Sequence, residues 1–127
     1  MTDKTLEHLR DVVVAQGISS VVIGDLPSLV IDCVALHPVD GYPSVRYFGQ
    51  KATNEPLLEV VVRNVLYQVG QDWYNKIQKA LDQYINKNYG INSCLLTGSP
   101  GFLGADENGF NEWHMLFHVT TFERRDN

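Results

Sequence analysis

Two histidines, His114 and His118, stand four positions apart, a spacing at which one helical face could offer both imidazoles to a single metal ion. The residues around them decide against it. Trp113, Met115, Phe117 and Val119 alternate with Glu112, His114, Leu116, His118 and Thr120, which is the period of a strand. On a strand the two rings stand roughly 13 Å apart, at about 3.3 Å per residue. No Glu follows His114 in the zinc-protease arrangement. Asp106-Glu107-Asn108-Gly109 shares part of its composition with a calcium loop but lacks the alternating oxygens and the closing Glu, and reads as a hairpin turn. Gly98-Ser99-Pro100-Gly101 is no nucleophile elbow, because Pro follows Ser and no helix begins there. Gly101, Gly104 and Gly109 are too far apart to cradle a phosphate. Lys76, Lys79 and Lys87 give a mildly basic helix face, either solvated or docked on an acidic partner. No nucleophile, base and orienting group fall into one set, so no enzyme activity, cofactor or metal is expected.

The elements that carry these residues follow from hydrophobic spacing. Leu57 to Val65 is rich in β-branched residues, with Leu58, Val60 and Val62 on one side and Glu59 and Arg63 on the other. That predicts a strand with one dry face and one face turned to water or to another protein. Gly70 breaks the pattern. From Asp72 the apolar residues Trp73, Ile77, Ala80, Leu81, Tyr84 and Ile85 predict a helix reaching Lys87, with Asp72 and Lys76 as a favourable pair one turn apart. Asp72 in its first turn and Lys87 in its last suit the helix dipole. Asp3 is placed to cap a first helix bearing Leu6, Leu9 and Val13 and ending at Gly17. Strands are expected at Ile18–Ile23, at Leu29–Leu36 and at Ile91–Thr97, the last closed by a tight turn at Gly98–Gly101. Leu29–Leu36 is apolar on both faces and so belongs inside the sheet. Its one charge, Asp32, reads as a backbone hydrogen-bonding group or as a partner for a basic residue across an interface. Sequential antiparallel pairing is expected throughout.

Composition bounds the class. The 127 residues suit one domain over positions 1–127, and 44% hydrophobic with 20% charged residues is ordinary for a globular chain. A formal charge of −5 disfavours unaided binding to nucleic acid or to an anionic membrane. No run approaches the roughly 20 apolar residues that span a bilayer, and the N-terminus lacks a signal-peptide layout, so synthesis in the cytoplasm is expected. Cys33 and Cys94 lie in apolar strand-like runs and are expected to stay reduced and buried.

The longest irregular stretch runs from His37 to Glu55, with Asp40-Gly41 as a turn between Pro38 and Pro43. It carries Tyr42, Arg46, Tyr47 and Phe48, residue types that anchor protein interfaces. A long aromatic connection in so short a chain points to a functional loop or hairpin arm.

Three segments in this order resemble the tail terminators and minor capsid proteins of long-tailed bacteriophages and prophages. They are Val22-Ile23-Gly24-Asp25-Leu26-Pro27, Asp40-Gly41-Tyr42-Pro43 with Glu59-Val60-Val61-Val62-Arg63, and Gly101-Phe102-Leu103-Gly104-Ala105-Asp106-Glu107-Asn108-Gly109. The family commonly shows Gln where this chain has Glu59 and Asn where it has Leu116, so hydrogen-bond partners there differ. The resemblance implies an α+β fold: a twisted, mainly antiparallel sheet with two helices packed on one face. It further implies a ring homo-oligomer, often a hexamer, that caps the tail tube protein and halts its polymerisation. The ring then meets a head connector or stopper protein while DNA passes through the channel without specific binding. Asp40, Tyr42, Arg46, Tyr47, Phe48, Glu59, Arg63, Asp106, Glu107 and Asn108 are the expected subunit or tube contacts. The competing readings are another head–tail component, a small-ligand or enzymatic α+β domain with a pocket beneath the Asp40–Phe48 loop, and a DNA adaptor using the lysine face.

Overall fold

A computed structural model describes residues 3–26, 32–39, 57–105 and 109–121. Helix α1 (Asp3–Val14) leads to strands β1 (Val21–Ile23), β2 (Cys33–Val39) and β3 (Leu57–Asn64). Helix α2 (Tyr67–Leu81) follows, then a 3-10 turn at Lys87–Tyr89 and the long strands β4 (Ile91–Ala105) and β5 (Asn111–Thr121). The fold is α+β, with a five-stranded sheet in the order β1-β2-β3-β5-β4 and both helices packed on one of its faces. No helix among the described residues is long and apolar enough to cross a membrane.

Alternation builds the core. β3 shows buried residues at every second position, Leu58, Val60, Val62 and Asn64, and β5 does the same with Trp113, Met115, Phe117 and Val119. Together with Val34 and Leu36 of β2 they form the inner face. Leu6, Leu9 and Val13 of α1 and Tyr74, Ile77 and Leu81 of α2 lie against it, matching the helical spacing of three and four. Cys33 and Cys94 are buried and unpaired, as expected. The Asp3 side chain, expected as a cap for α1, lies outside the described residues.

Pairing departs from a simple sequence of hairpins. β2 with β3 and β4 with β5 pair antiparallel as expected, but β1 lies parallel to β2, and β3 pairs with β5 rather than β4. The reason is the α2 crossover: it returns β4 parallel to β3, one strand-width away, and β5 fills the gap antiparallel to both. β2 is internal, as its two apolar faces predict, but it begins at Cys33 and continues through His37-Pro38-Val39. Pro38 is tolerated because β1 pairs only as far as Leu36, leaving β2 one ladder neighbour beyond that point. The expected start of this strand at 29–31 lies outside the described residues. So does 40–56, where the long loop is expected. Strand β1 is shorter than expected, because Ile18 turns into the core ahead of it.

Two boundaries are corrected. α2 starts at Tyr67, with Gly70 inside it, and stops at Leu81 instead of reaching Lys87. A Cβ at Gly70 would sit 2.2 and 2.3 Å from Cζ3 and Cη2 of Trp113, so the glycine admits the indole rather than breaking the helix. Asp72 therefore falls in the second turn and Lys87 beyond the helix, so the dipole argument made for them does not apply; the Asp72–Lys76 pair is present at 2.9 Å. At the other end Asp82 Oδ1 accepts from the Leu96 N–H at 3.0 Å, and Gln83 adopts φ +65°. That conformation turns the chain out of the helix toward β4 and leaves Ile85 exposed.

The second correction concerns β4. It does not end at Thr97 in a tight turn but continues to Ala105. Thr97 pairs with Leu116 and Gly101 with His114, so four steps on β4 match two on β5, and a second irregularity follows between Phe102 and Gly104. The residues read as a turn are absorbed as bulges, with Gly104 at φ +108° supplying a backbone conformation that other residues resist.

Candidate interface: the open sheet face and its distal corner

The face of the sheet opposite the helices carries the polar half of each alternation. Leu57, Glu59, Val61 and Arg63 of β3 point there, and register brings His37 beside Glu59, His114 beside Val61, and Glu112 beside Arg63. All of these except Leu57 line an open groove of about 330 Å³ whose walls also include Asp25, Ala35 and Leu103. Arg63 donates from Nε and Nη2 to Glu112 Oε1 at 3.2 and 3.1 Å, with side chains only 13% and 23% exposed. His114 Nε2 lies 3.4 Å from Glu59 Oε1, and His37 Nδ1 lies 3.8 Å from Asp25 Oδ1. Among its lining groups, three carboxylates face one guanidinium, beside the His37 and His114 rings. The excess negative charge makes it a poor seat for a polyanion.

Of the expected contact residues, the structure places Glu59 and Arg63 on this face, Arg63 paired with Glu112 and Glu59 beside the His114 ring within the same chain. Asp40, Tyr42, Arg46, Tyr47 and Phe48, and Asp106, Glu107 and Asn108, lie outside the described residues. β5 puts His114 and His118 on the same outer face, with Leu116 between them. Of the two readings of Asp32, the backbone one holds: its Oδ1 accepts from the Val65 N–H at 3.0 Å. Cys94 sits in the core, where burial first and the Asp82 charge second push its thiol from 9.0 up to about 12.

Sequence reasoning missed a corner at the far end of the sheet, where α2 begins against the end of β4. Phe102 and Tyr67 meet edge to face with centroids 5.2 Å apart, and both rings contact Trp113, at 5.2 and 5.4 Å. The Trp113 indole N–H donates to Gln71 Oε1 at 2.9 Å. The entry into α2 is held by polar groups from three strands and loops. Asp32 holds Val65, Asn64 Oδ1 accepts from the Leu66 N–H at 2.9 Å, and Asn111 Nδ2 donates to the Val65 carbonyl at 3.0 Å. Around this anchored base Val65, Leu66, Tyr67 and Val69 are exposed, as is Phe102 beside Tyr67, while Leu103, the next residue, is exposed on the groove side. The signal in sequence was the absence of charge from Val65 to Gln71 and from Ile91 to Ala105.

A smaller polar cluster ties α1 to the turn before β4. His8 stacks on Tyr89 with centroids 3.8 Å apart and meets the Tyr84 hydroxyl, while Thr5 Oγ1 donates to the Tyr89 carbonyl at 2.9 Å.

Comparison with known proteins places this geometry. A family model described as bacteriophage tail terminator protein matches residues 6–121. No curated protein matches the chain significantly. Among solved structures, a chain from the virion of a native gene transfer agent particle is similar in fold, with a TM-score of 0.65 at 12% identity. The alignment covers 92% of this chain and 90% of that one.

Proposed function

Because the chain belongs to the bacteriophage tail terminator family, and is thus a phage virion structural protein, we propose that it forms a ring on the end of the tail tube. The ring stops tube polymerisation and offers the surface to which the head attaches. The observation that carries this is the extent of the family match, which runs from Leu6 in α1 to Thr121, the last residue of β5, and so takes in every element of the fold. The fold similarity to a chain of a gene transfer agent virion supports a place in a virion particle.

Charge fits the role. If six copies assemble, a formal −5 on each amounts to −30 over the whole ring. A duplex passing such a wall is repelled by most of it and slides without specific contact. The partners in this reading are further copies of the chain, the tube protein on one side and the head connector or stopper on the other, with assembly at the tail–head junction after synthesis in the host cytoplasm. Tyr42, Arg46, Tyr47 and Phe48 are proposed to reach a neighbouring copy or the tube together with Asp40. Asp106, Glu107 and Asn108 act with them from the β4–β5 connection, and Glu59 and Arg63 from the open sheet face.

Tube assembly tests the proposal. Purified protein added to polymerising tube subunits of the same phage is expected to arrest elongation and to appear by electron microscopy as a ring on one tube end. Phage lacking the gene is expected to produce overlong tubes without heads. Tubes of unchanged length with and without the protein would overturn the assignment.

A further inference from the structure

We infer that the uncharged β4 edge, with the aromatic corner beside it, is the surface on which a second copy of this chain docks, and that the copy presents its β1 edge. This rests on the ring reading and specifies its contact. Natural sheets protect long exposed edges with charged side chains, above all lysine, because unpaired backbone groups there invite another strand. Among the described residues β4 is an edge strand, and its 15 residues carry no ionisable group other than the buried Cys94 thiol. Its bulges interrupt the ladder but leave Leu95, Phe102 and Leu103 exposed at 46%, 45% and 65%. Beside this edge Tyr67 meets Phe102, and Leu66, Tyr67 and Val69 at the start of α2 are exposed.

Two features select a second copy as the occupant. Copies carrying −5 repel one another over most of their surface, so they approach at least cost where charge is absent. The opposite edge of the same sheet is equally free of charge over Val21–Ile23, with Ile23 and nearby Val14 exposed. Following the pairings across the sheet, β1 runs antiparallel to β4. A neighbour placed in the same orientation therefore sets its β1 antiparallel to β4 and continues the sheet. A two-fold contact of β4 with β4 would close at two copies, whereas edge to opposite edge propagates and can close a ring.

The test compares self-association of the full chain with Leu103→Lys and, as a control on the outer side of α2, Lys79→Ala, by sedimentation over a concentration series. Leu103→Lys is expected to fold normally by circular dichroism, since the side chain is 65% exposed, and to associate at least tenfold more weakly. Lys79→Ala is expected to match the parent. Mixing Leu103→Cys with Val22→Cys, which share the open face of the continued sheet, under mild oxidation is expected to give a cross-link absent from either alone, the native cysteines being fully buried. Parent and Leu103→Lys assembling equally would overturn this surface while leaving the ring. Cross-linking of Leu103→Cys to itself would replace the head-to-tail contact by a two-fold one. A parent that never self-associates, alone or on tubes, would remove the ring and this contact together.

Discussion

Trp113 of β5 rests on the backbone of Gly70 in α2, and its indole nitrogen is tied to Gln71 one residue further along the same helix. This pairing fixes the height and angle at which α2 crosses the sheet. Gly70→Ala would put a methyl carbon 2.2 Å from the ring, so helix or indole must move. Although alanine is the better helix former, the variant is expected to lose about 1–3 kcal/mol of stability, read by urea denaturation with Trp fluorescence. Gly70→Ala in a Trp113→Leu background is expected to cost much less, because the obstructing ring is gone.

The Arg63–Glu112 pair joins β3 to β5 on the open face with both side chains mostly shielded from solvent. Arg63→Glu sets two carboxylates side by side and is expected to destabilise the fold by about 1–2 kcal/mol, more than an exposed pair is worth and less than a fully buried one. The swapped double variant Arg63→Glu, Glu112→Arg is expected to recover most of that. Recovery separates a role within the chain from one in assembly, which the swap would still disturb.

Asp32 supplies the acceptor for the first free N–H before α2, an exposed bond at 3.0 Å. Asp32→Ala is expected to cost about 1 kcal/mol and Asp32→Asn less, because the amide oxygen still accepts. Hydrogen exchange at Val65 and Leu66 is the local readout, and it should rise in the alanine variant well before the core amides respond.

Cys94 links stability to alkaline pH. Its thiol rises from 9.0 to about 12 in the folded chain because burial penalises the thiolate and Asp82 repels it. The unfolded chain therefore sheds this proton first. The contribution is fully present below pH 9 and is lost as pH rises from 9 toward 12. Cys94→Ala is expected to be less stable than the parent at pH 7, from the cavity, but to show a shallower decline between pH 9 and 11 in denaturation midpoints. Thiol reagents at pH 8 should leave Cys94 unmodified until the protein is unfolded.

Much of this fold is written in local periodicity. The alternation of Trp113, Met115, Phe117 and Val119 names the buried face of β5, that of Leu58, Val60 and Val62 names β3, and Leu6, Leu9 and Val13 name the inward side of α1. Burial selects one side of a strand or helix, and the period of that selection is visible without any partner. Where an element's identity depended on a distant residue, local pattern misled. Gly70 looked like a breaker because nothing near it reveals the Trp113 ring. The Gly98–Gly101 stretch looked like a turn because its bulges exist only against β5.

The amino-acid order thus determined by itself which residues are buried, that the buried thiols stay unpaired, and that the surface is acidic. Those properties depend on side-chain chemistry and short-range spacing. Tertiary structure decided the strand order, the pairing of Glu59 with His114 and Arg63 with Glu112, and the gathering of Tyr67, Phe102 and Trp113 at one aromatic corner. These are contacts between segments far apart in the chain, and an α2 crossover that leaves room for β5 sets them, which no local preference encodes.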